Sequence, residues 1–167
     1  PVTPHVQRVL QAIVEAGCRL EAAAHMFTVP TASARLVARR LAARQPKPYL
    51  VPPGSSNVHG ALGYVSAALE LAEQIRDGRC PRPGALVTAY GSAGTAAGLL
   101  VGLRLAGLQI PVYAVRVVLP ALGTAGRLAG LCRDTAGYLA ARGVPVPGNF
   151  TAREMRVVPG FVGAGYG

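Results

Sequence analysis

The 167-residue sequence contains no tryptophan, a single lysine and only three cysteines. The cysteines (Cys18, Cys80 and Cys132) are far apart and form no CxxC pair, so we expect ordinary buried thiols, no metal site and a reducing, cytoplasmic setting. No apolar run reaches the roughly 18–20 uncharged residues that a membrane-spanning helix needs. The N-terminus has no basic-then-apolar signal pattern. We therefore expect neither a membrane partner nor export.

Acidic residues are also scarce: there are seven against 17 basic residues, which gives a formal net charge of +10 at pH 7. A strongly basic chain can be a nucleic-acid-binding protein. Here, however, every basic residue except Lys47 is an arginine, and the arginines are scattered along predicted helices. Aromatic residues, which nucleic-acid-binding segments interleave with basic ones, make up only 5% of the chain. We expect no nucleic-acid partner.

Hydrophobic residues make up 51% of the sequence, which is enough for one domain with a sizeable core. Their spacing alternates between helix and strand patterns, with short connections. The predicted helices span residues 4–16, 31–44, 60–75, 94–107 and 124–142, and the predicted strands span 18–20, 48–53, 85–90, 111–118 and 153–159. Strands that are apolar on both faces indicate a three-layer α/β fold, in which a mostly parallel sheet has helices on both faces.

Polar residues that can cap a helix precede the second and third predicted helices. Thr31 or Ser33 is expected to accept a hydrogen bond from a first-turn N–H group of the second helix. The run Ser55-Ser56-Asn57 offers the same function to the third helix. We interpret these side chains first as caps.

Glycines dominate the connection between the third of the predicted strands and the helix after it, Gly91-Ser92-Ala93-Gly94-Thr95. In open α/β sheets, ligands bind beyond the carboxyl ends of the strands, where this loop is expected. Glycines let backbone N–H groups approach a ligand, the helix dipole favours an anion, and Ser92 and Thr95 add hydroxyl donors. No carboxylate occurs between Asp77 and Asp134. The loop is a candidate phosphate site, although it matches neither GxxxxGK[ST] nor GxGxxG, and a tight turn without a ligand is the alternative.

Three further motifs occur before and after this glycine-rich loop. "PGSSN" at 53–57 and "GALGY" at 60–64 precede "GSAGT" at 91–95, and "GYG" follows at 165–167. In order and spacing, they resemble the PxGGSNxxGxLGY, GSGGTxAGL and GYG motifs of the D-cysteine desulfhydrase and 1-aminocyclopropane-1-carboxylate (ACC) deaminase family. These are fold-type II pyridoxal-phosphate enzymes, whose fold resembles that of the tryptophan synthase β chain. The agreement covers about residues 47–167, and the preceding residues are compatible but match less well.

The resemblance implies a cofactor and the residues that bind it. The phosphate of pyridoxal 5′-phosphate would be held by Gly91, Ser92, Ala93, Gly94 and Thr95. The resemblance also implies that Tyr166 approaches the substrate as a catalytic residue, and the alternative is a loop aromatic that packs on the sheet edge. Asn57 is expected to be a cap first and a cofactor contact second.

The sequence departs from the family pattern at three positions. Ala93 and Ser55 replace glycines, and His59 stands where the family has an apolar residue. If position 93 needs a left-handed backbone, alanine costs about 1 kcal/mol, which would weaken the site without abolishing it. We expect His59 to be a solvent-facing or hydrogen-bonded histidine rather than a catalytic base.

The sequence offers no suitable lysine for a pyridoxal-phosphate enzyme, which needs one to form a Schiff base. Lys47 lies between Pro46 and Pro48, just before a predicted strand and so at the wrong end of the sheet for the phosphate loop. The resemblance places the Schiff-base lysine before the matched region, and the segment that contacts the pyridine nitrogen after it. We therefore interpret residues 1–167, which begin without Met and stop after a glycine-rich stretch, as a partial catalytic region that is inactive alone.

The resemblance implies a lyase or deaminase that acts on a small amino acid. The GSAGT loop looks closer to the desulfhydrases, so β-elimination from D-cysteine to pyruvate, ammonia and sulfide is the first choice. ACC deamination is the alternative within the family. A non-catalytic phosphate- or nucleotide-binding α/β domain is the alternative outside it. The full-length protein is expected to be a homodimer.

Overall fold

A computed structural model describes residues 3–22, 25 and 28–163 of the chain. The described residues divide into two units, one that ends at Leu50 and one that begins at Val51. The division follows burial, because the first unit has no fully buried residue in its described part, whereas the second has a continuous apolar core. Each unit is therefore described by itself.

The described part of the first unit contains the helices α1 (Pro4–Glu15) and α2 (Val29–Ala42). Thr3 caps α1, since its side chain accepts a hydrogen bond from the Val6 N–H group at 3.3 Å. The predicted cap of the second helix is wrong. The helix starts at Val29-Pro30, because proline suits a first helical turn, and the Thr31 hydroxyl instead donates to the Thr28 carbonyl at 2.8 Å.

Two of the strand predictions are also wrong, because residues 18–20 and 48–53 form no strand in the described part of the chain. A strand needs a hydrogen-bonded neighbour, and the three prolines at positions 48, 52 and 53 remove N–H donors from the second segment. Cys18 is exposed, so of the three thiols expected to be buried only that of Cys132 is fully so.

The second unit has a parallel three-stranded sheet in the order β1 (Leu86–Tyr90), β2 (Val112–Arg116) and β3 (Arg156–Val158). Its helices are α3 (Val58–Arg76), α4 (Gly94–Leu105) and α5 (Ala125–Ala140). All six elements were predicted, with ends that differ by a few residues. Strand β3 is shorter than expected because residues 152–154 form a 3₁₀ turn.

The core lies between the sheet and the helices α4 and α5. Alternate strand residues point into it, as shown by Tyr90 and Ala114, and the helices contribute Val101, Leu128 and other small or aliphatic side chains. Residues on the opposite face of the strands are more exposed to solvent, as shown by Val87, which is 71% exposed. The buried face therefore fixes the carboxyl ends of β1 and β2 against the beginnings of α4 and α5.

Helices α3 and α4 run side by side in the same direction and in close contact. A β-carbon on Gly98 would overlap the Ala61 carbonyl oxygen, and one on Gly102 would lie 2.6 Å from the Val65 carbonyl oxygen. Residues 94, 98 and 102 are all glycines, so one stripe of α4 has no side chains. This stripe lets the two helices approach and brings their N-termini to the same end of the unit.

Candidate phosphate site

Three residues separate the end of β1 from the start of α4: Gly91, Ser92 and Ala93. Ala93 is the N-cap of α4 and has a left-handed backbone (φ 83°, ψ −19°). It makes no side-chain cap hydrogen bond, and the first-turn bond of the helix runs from the Ala97 N–H group to the Ala93 carbonyl at 2.9 Å. The N–H groups of residues 94–96 precede that bond and have no intrahelical acceptor. They are donors at the positive end of a helix dipole, which is a favourable place for an anion.

A second loop, which leads into α3, lies against the first. It contains a 3₁₀ turn, Pro53–Ser55, in which Gly54 and Ser55 have positive φ angles of 69° and 49°. Asn57 then caps α3, because its Oδ1 accepts a hydrogen bond from the Gly60 N–H group at 2.9 Å. The cap predicted for Asn57 is therefore confirmed. Its contact with a cofactor stays a prediction.

Glycines at two positions allow the loops to meet. A β-carbon on Gly54 would overlap the Ser92 hydroxyl oxygen, and a β-carbon on Gly94 would lie 3.3 Å from the Ser56 hydroxyl oxygen. Both contacts join the loop before α3 to the loop before α4. The structure thus brings the loop that contains Asn57 against the segment 91–95.

The two residues that replace the family's glycines share a strained backbone. Ala93 and Ser55 both have positive φ angles, a region that costs a residue with a β-carbon about 1 kcal/mol. The condition attached to Ala93 in the sequence analysis is met, because this position is left-handed. The loop nevertheless retains its turn with alanine in place.

A third helix start lies at the same edge of the sheet. The buried Tyr90, the last residue of β1, donates its hydroxyl hydrogen to the Thr124 carbonyl at 2.8 Å. Thr124 in turn caps α5, since its side chain accepts from the Arg127 N–H group at 3.2 Å. This hydrogen bond ties the residue before the phosphate loop to the start of α5.

Positive charge surrounds this edge. Burial raises the pKa of the Tyr90 phenol, and the guanidinium groups of Arg127 and Arg116 oppose that rise. The sequence has no carboxylate between Asp77 and Asp134 that could neutralise them. Sequence reasoning missed Tyr90 and Arg116, although one directly precedes the glycine loop and the other ends the next strand.

The remaining predicted residues are less informative. Tyr166 lies outside the described residues. His59 is exposed and its ring meets that of Tyr138 edge-on, with centroids 5.3 Å apart, as expected of a structural histidine. Lys47 is exposed in an irregular segment, so the argument that placed it before a strand is wrong.

The described ranges contain no group of three or more His, Cys, Asp or Glu side chains arranged to hold a metal ion. None of the described helices is long and apolar enough to cross a membrane. What the geometry does offer is a set of N–H donors at the start of α4, with the hydroxyl-bearing residues Ser92 and Thr95 in the same segment. This donor set fits a phosphate group.

Comparison with known proteins decides the family. The sequence profile of the family described as "Pyridoxal-phosphate dependent enzyme" matches residues 8–162. The chain belongs to this family. The match confirms the predicted family and the cofactor that its members use.

The chain is similar to two proteins of related function, one in sequence and one in structure. A D-cysteine desulfhydrase from Klebsiella pneumoniae subsp. pneumoniae is 46% identical over 78 residues, which are 47% of this chain and 23% of the desulfhydrase. The crystal structure of an ACC deaminase homologue superimposes with a TM-score of 0.66 at 27% identity, and the match covers 89% of this chain and 42% of the homologue. The three-layer α/β class is thereby confirmed. The chain spans less than half the length of either relative.

Proposed function

We propose that this chain carries the phosphate-binding part of a pyridoxal-phosphate-dependent lyase, and that the full-length enzyme acts on a small amino acid. The observation that carries the proposal is the start of α4, where a left-handed, uncapped turn leaves N–H donors without an intrahelical acceptor. Membership of the pyridoxal-phosphate dependent enzyme family supports the same role.

The chain's own residues would hold the phosphate in three ways. The N–H groups of residues 94–96, which have no intrahelical acceptor, would donate to it together with the backbone of Gly91 and Ala93, and the hydroxyl groups of Ser92 and Thr95 would supply further donors. The glycine at position 94 lets the loop before α3 lie against the helix start, because a β-carbon there would lie 3.3 Å from the Ser56 hydroxyl oxygen. When bound, the cofactor supplies an electron sink for negative charge at a substrate carbon.

The favoured reaction is β-elimination from D-cysteine, which yields pyruvate, ammonia and sulfide. It is supported by the identity to the desulfhydrase over 78 residues. Deamination of ACC is the second candidate, supported by the structural neighbour. The two are separated by their products, because the full-length enzyme should release sulfide from D-cysteine and turn over ACC far more slowly. Ammonia release from neither compound, with pyridoxal phosphate present, would contradict the proposal.

Tyr166 is proposed as a catalytic residue because it stands in the GYG motif. Replacing Tyr166 by Phe removes only the hydroxyl, so turnover of the full-length enzyme should fall by about 100-fold or more while cofactor content is unchanged. If the residue only packs on the sheet edge, Phe is tolerated and Ala is destabilising. Steady-state kinetics with D-cysteine and with ACC distinguishes the two roles.

Lys47 is not expected to form the Schiff base. It is the chain's single lysine and is exposed between two prolines. After incubation with equimolar pyridoxal phosphate and borohydride reduction, mass spectrometry of this chain should find no phosphopyridoxyl group on Lys47. A stoichiometrically labelled Lys47 would contradict the assignment of the reactive lysine to another segment.

The full-length protein is further proposed to be a cytoplasmic homodimer without a nucleic-acid partner. Widely spaced cysteines support a reducing compartment, and scattered arginines argue against a nucleic-acid surface. Light scattering coupled to gel filtration should give twice the monomer mass. A monomeric mass at micromolar concentration would contradict the dimer.

A further inference from the structure

Arg116 stands one strand away from the phosphate loop. It is the last residue of β2, and its partner in the parallel register is Tyr90, which directly precedes Gly91. The side chains of Val112, Ala114 and Arg116 alternate onto the same face of the strand, the one that α4 and α5 cover. Arg116 therefore lies at the edge where those two helices begin.

The stem of this arginine is fixed by packing. A β-carbon on Gly123 would lie 2.7 Å from both Cγ and Cδ of Arg116, so the turn before α5 closes directly over the side chain. The Arg116 Nε atom is buried and has no hydrogen-bond partner among the residues that the structure describes. Arg116 as a whole is only half-buried, but a buried donor without a partner is unfavourable, which indicates a place for an acceptor beside Nε.

No such acceptor comes from a carboxylate nearby. None of the ion pairs in the described ranges involves Arg116, and the sequence from Arg79 to Arg133 contains no Asp or Glu. The neighbouring charges are also positive, namely the Arg127 side chain and the helix starts at Ala93 and Thr124. A free guanidinium donor in such surroundings favours an anion as its acceptor.

We propose that the Arg116 guanidinium binds the phosphate group held at the start of α4 and so completes the phosphate site from the neighbouring strand. The inference rests on the proposed function, because it takes the phosphate to be that of the cofactor. A guanidinium suits this task, since its planar fork donates two parallel hydrogen bonds to phosphate oxygens. The alternative is that the arginine only fills space beneath Gly123 with its aliphatic stem.

The test compares this chain with three variants, Arg116→Met, Arg116→Lys and the control Arg142→Met. Arg142 lies just beyond the C-terminus of α5, with its guanidinium over the Tyr138 ring, and serves as a matched loss of one arginine. The ligands are pyridoxine 5′-phosphate and pyridoxine, which lack the aldehyde that could react with Lys47. Calorimetry measures both affinities.

The parent should bind the phosphate form more tightly than pyridoxine. Arg116→Met should lose about tenfold in affinity for the phosphate form only, Arg116→Lys should recover part of the loss, and Arg142→Met should match the parent. If the parent prefers the phosphate form and Arg116→Met binds it equally well, the inference is overturned while the proposed function stands. A parent without preference for the phosphate form overturns both.

A second measurement does not depend on how the Met variant folds. The Nε–H resonance of Arg116 in the parent, assigned by its disappearance in Arg116→Lys, should shift on addition of inorganic phosphate but not of chloride at equal ionic strength. An unmoved resonance overturns the inference.

Discussion

Helices α3 and α4 begin side by side, yet their N-termini are completed in different ways. Asn57 caps α3 with its own side chain, whereas α4 begins at an alanine that offers no side-chain acceptor. Asn57 satisfies one orphan donor of α3, the Gly60 N–H group, whereas the corresponding donor of α4, the Ala96 N–H group, stays available to an external acceptor. The proposed ligand site thus depends on the cap that α4 lacks as much as on the glycines around it.

The largest effect is expected from breaking the contact that aligns the two helices. Gly98→Val should lower the free energy of unfolding by about 3 kcal/mol, because the new side chain collides with the α3 backbone. Urea unfolding measures it, with Gly137→Val as control, since Gly137 is also helical and has open space around it. Equal stability of the two variants would mean that the helices can separate at no cost.

The next prediction concerns the uncapped end itself. In the full-length enzyme, Gly94→Val should weaken pyridoxal-phosphate binding by about 30-fold or more, because a β-branched side chain would press on Ser56, whose hydroxyl oxygen lies 3.3 Å from a β-carbon at this position, and so displace the backbone donors. Ser92→Ala should weaken it only about fivefold, since one charge-assisted hydrogen bond is lost. Fluorescence titration gives both values. Cofactor affinity in the Gly94 variant equal to that of the parent would show that this loop is not the cradle.

At the capped start of α3, a substitution should change the stability of the chain and leave ligand binding unchanged. Asn57→Ala should lower the free energy of unfolding by about 1 kcal/mol, the usual cost of a lost N-cap, and leave the preference for phosphate unchanged. Thermal unfolding and phosphate titration measure the two quantities. If Asn57→Ala is as stable as the parent but loses the preference for phosphate, then Asn57 binds phosphate and does not stabilise α3.

The smallest effects are expected at the two strained positions. Ser55→Gly should stabilise the chain by about 0.5 kcal/mol, because relief of the left-handed strain exceeds the added freedom of the unfolded chain. Ala93→Gly should be close to neutral, since it also removes a buried methyl group worth about 0.8 kcal/mol. Chemical denaturation of both variants checks the order. If Ser55→Gly destabilises the chain, the positive φ angle of Ser55 does not strain this loop.

The sequence was informative where a pattern is local. Helical periodicity located α1, α4 and α5 closely, and the run of apolar residues before Gly91 located β1. The failed strands at 18–20 and 48–53 show the limit, because a short apolar run forms a strand only beside a partner that the run itself does not reveal.

In the candidate site, too, some residues could be recognised from the sequence and others could not. The glycine loop could be recognised from its residues and its place after a strand. Tyr90 and Arg116 could not, because their role depends on the register between β1 and β2 and on the turn that closes at Gly123. Strain at Ser55 was equally hidden, since only the observed φ angle distinguishes a left-handed serine from an ordinary one.

The most direct test of the central claim is a phosphate titration of this chain followed by ¹H–¹⁵N NMR. The amide resonances of residues 94–96, at the uncapped start of α4, should shift in a saturable way, and those of residues 58–60, at the capped start of α3, should move little. Shifts at the α3 end alone, or none at either end, would contradict the claim that the missing cap creates the phosphate site.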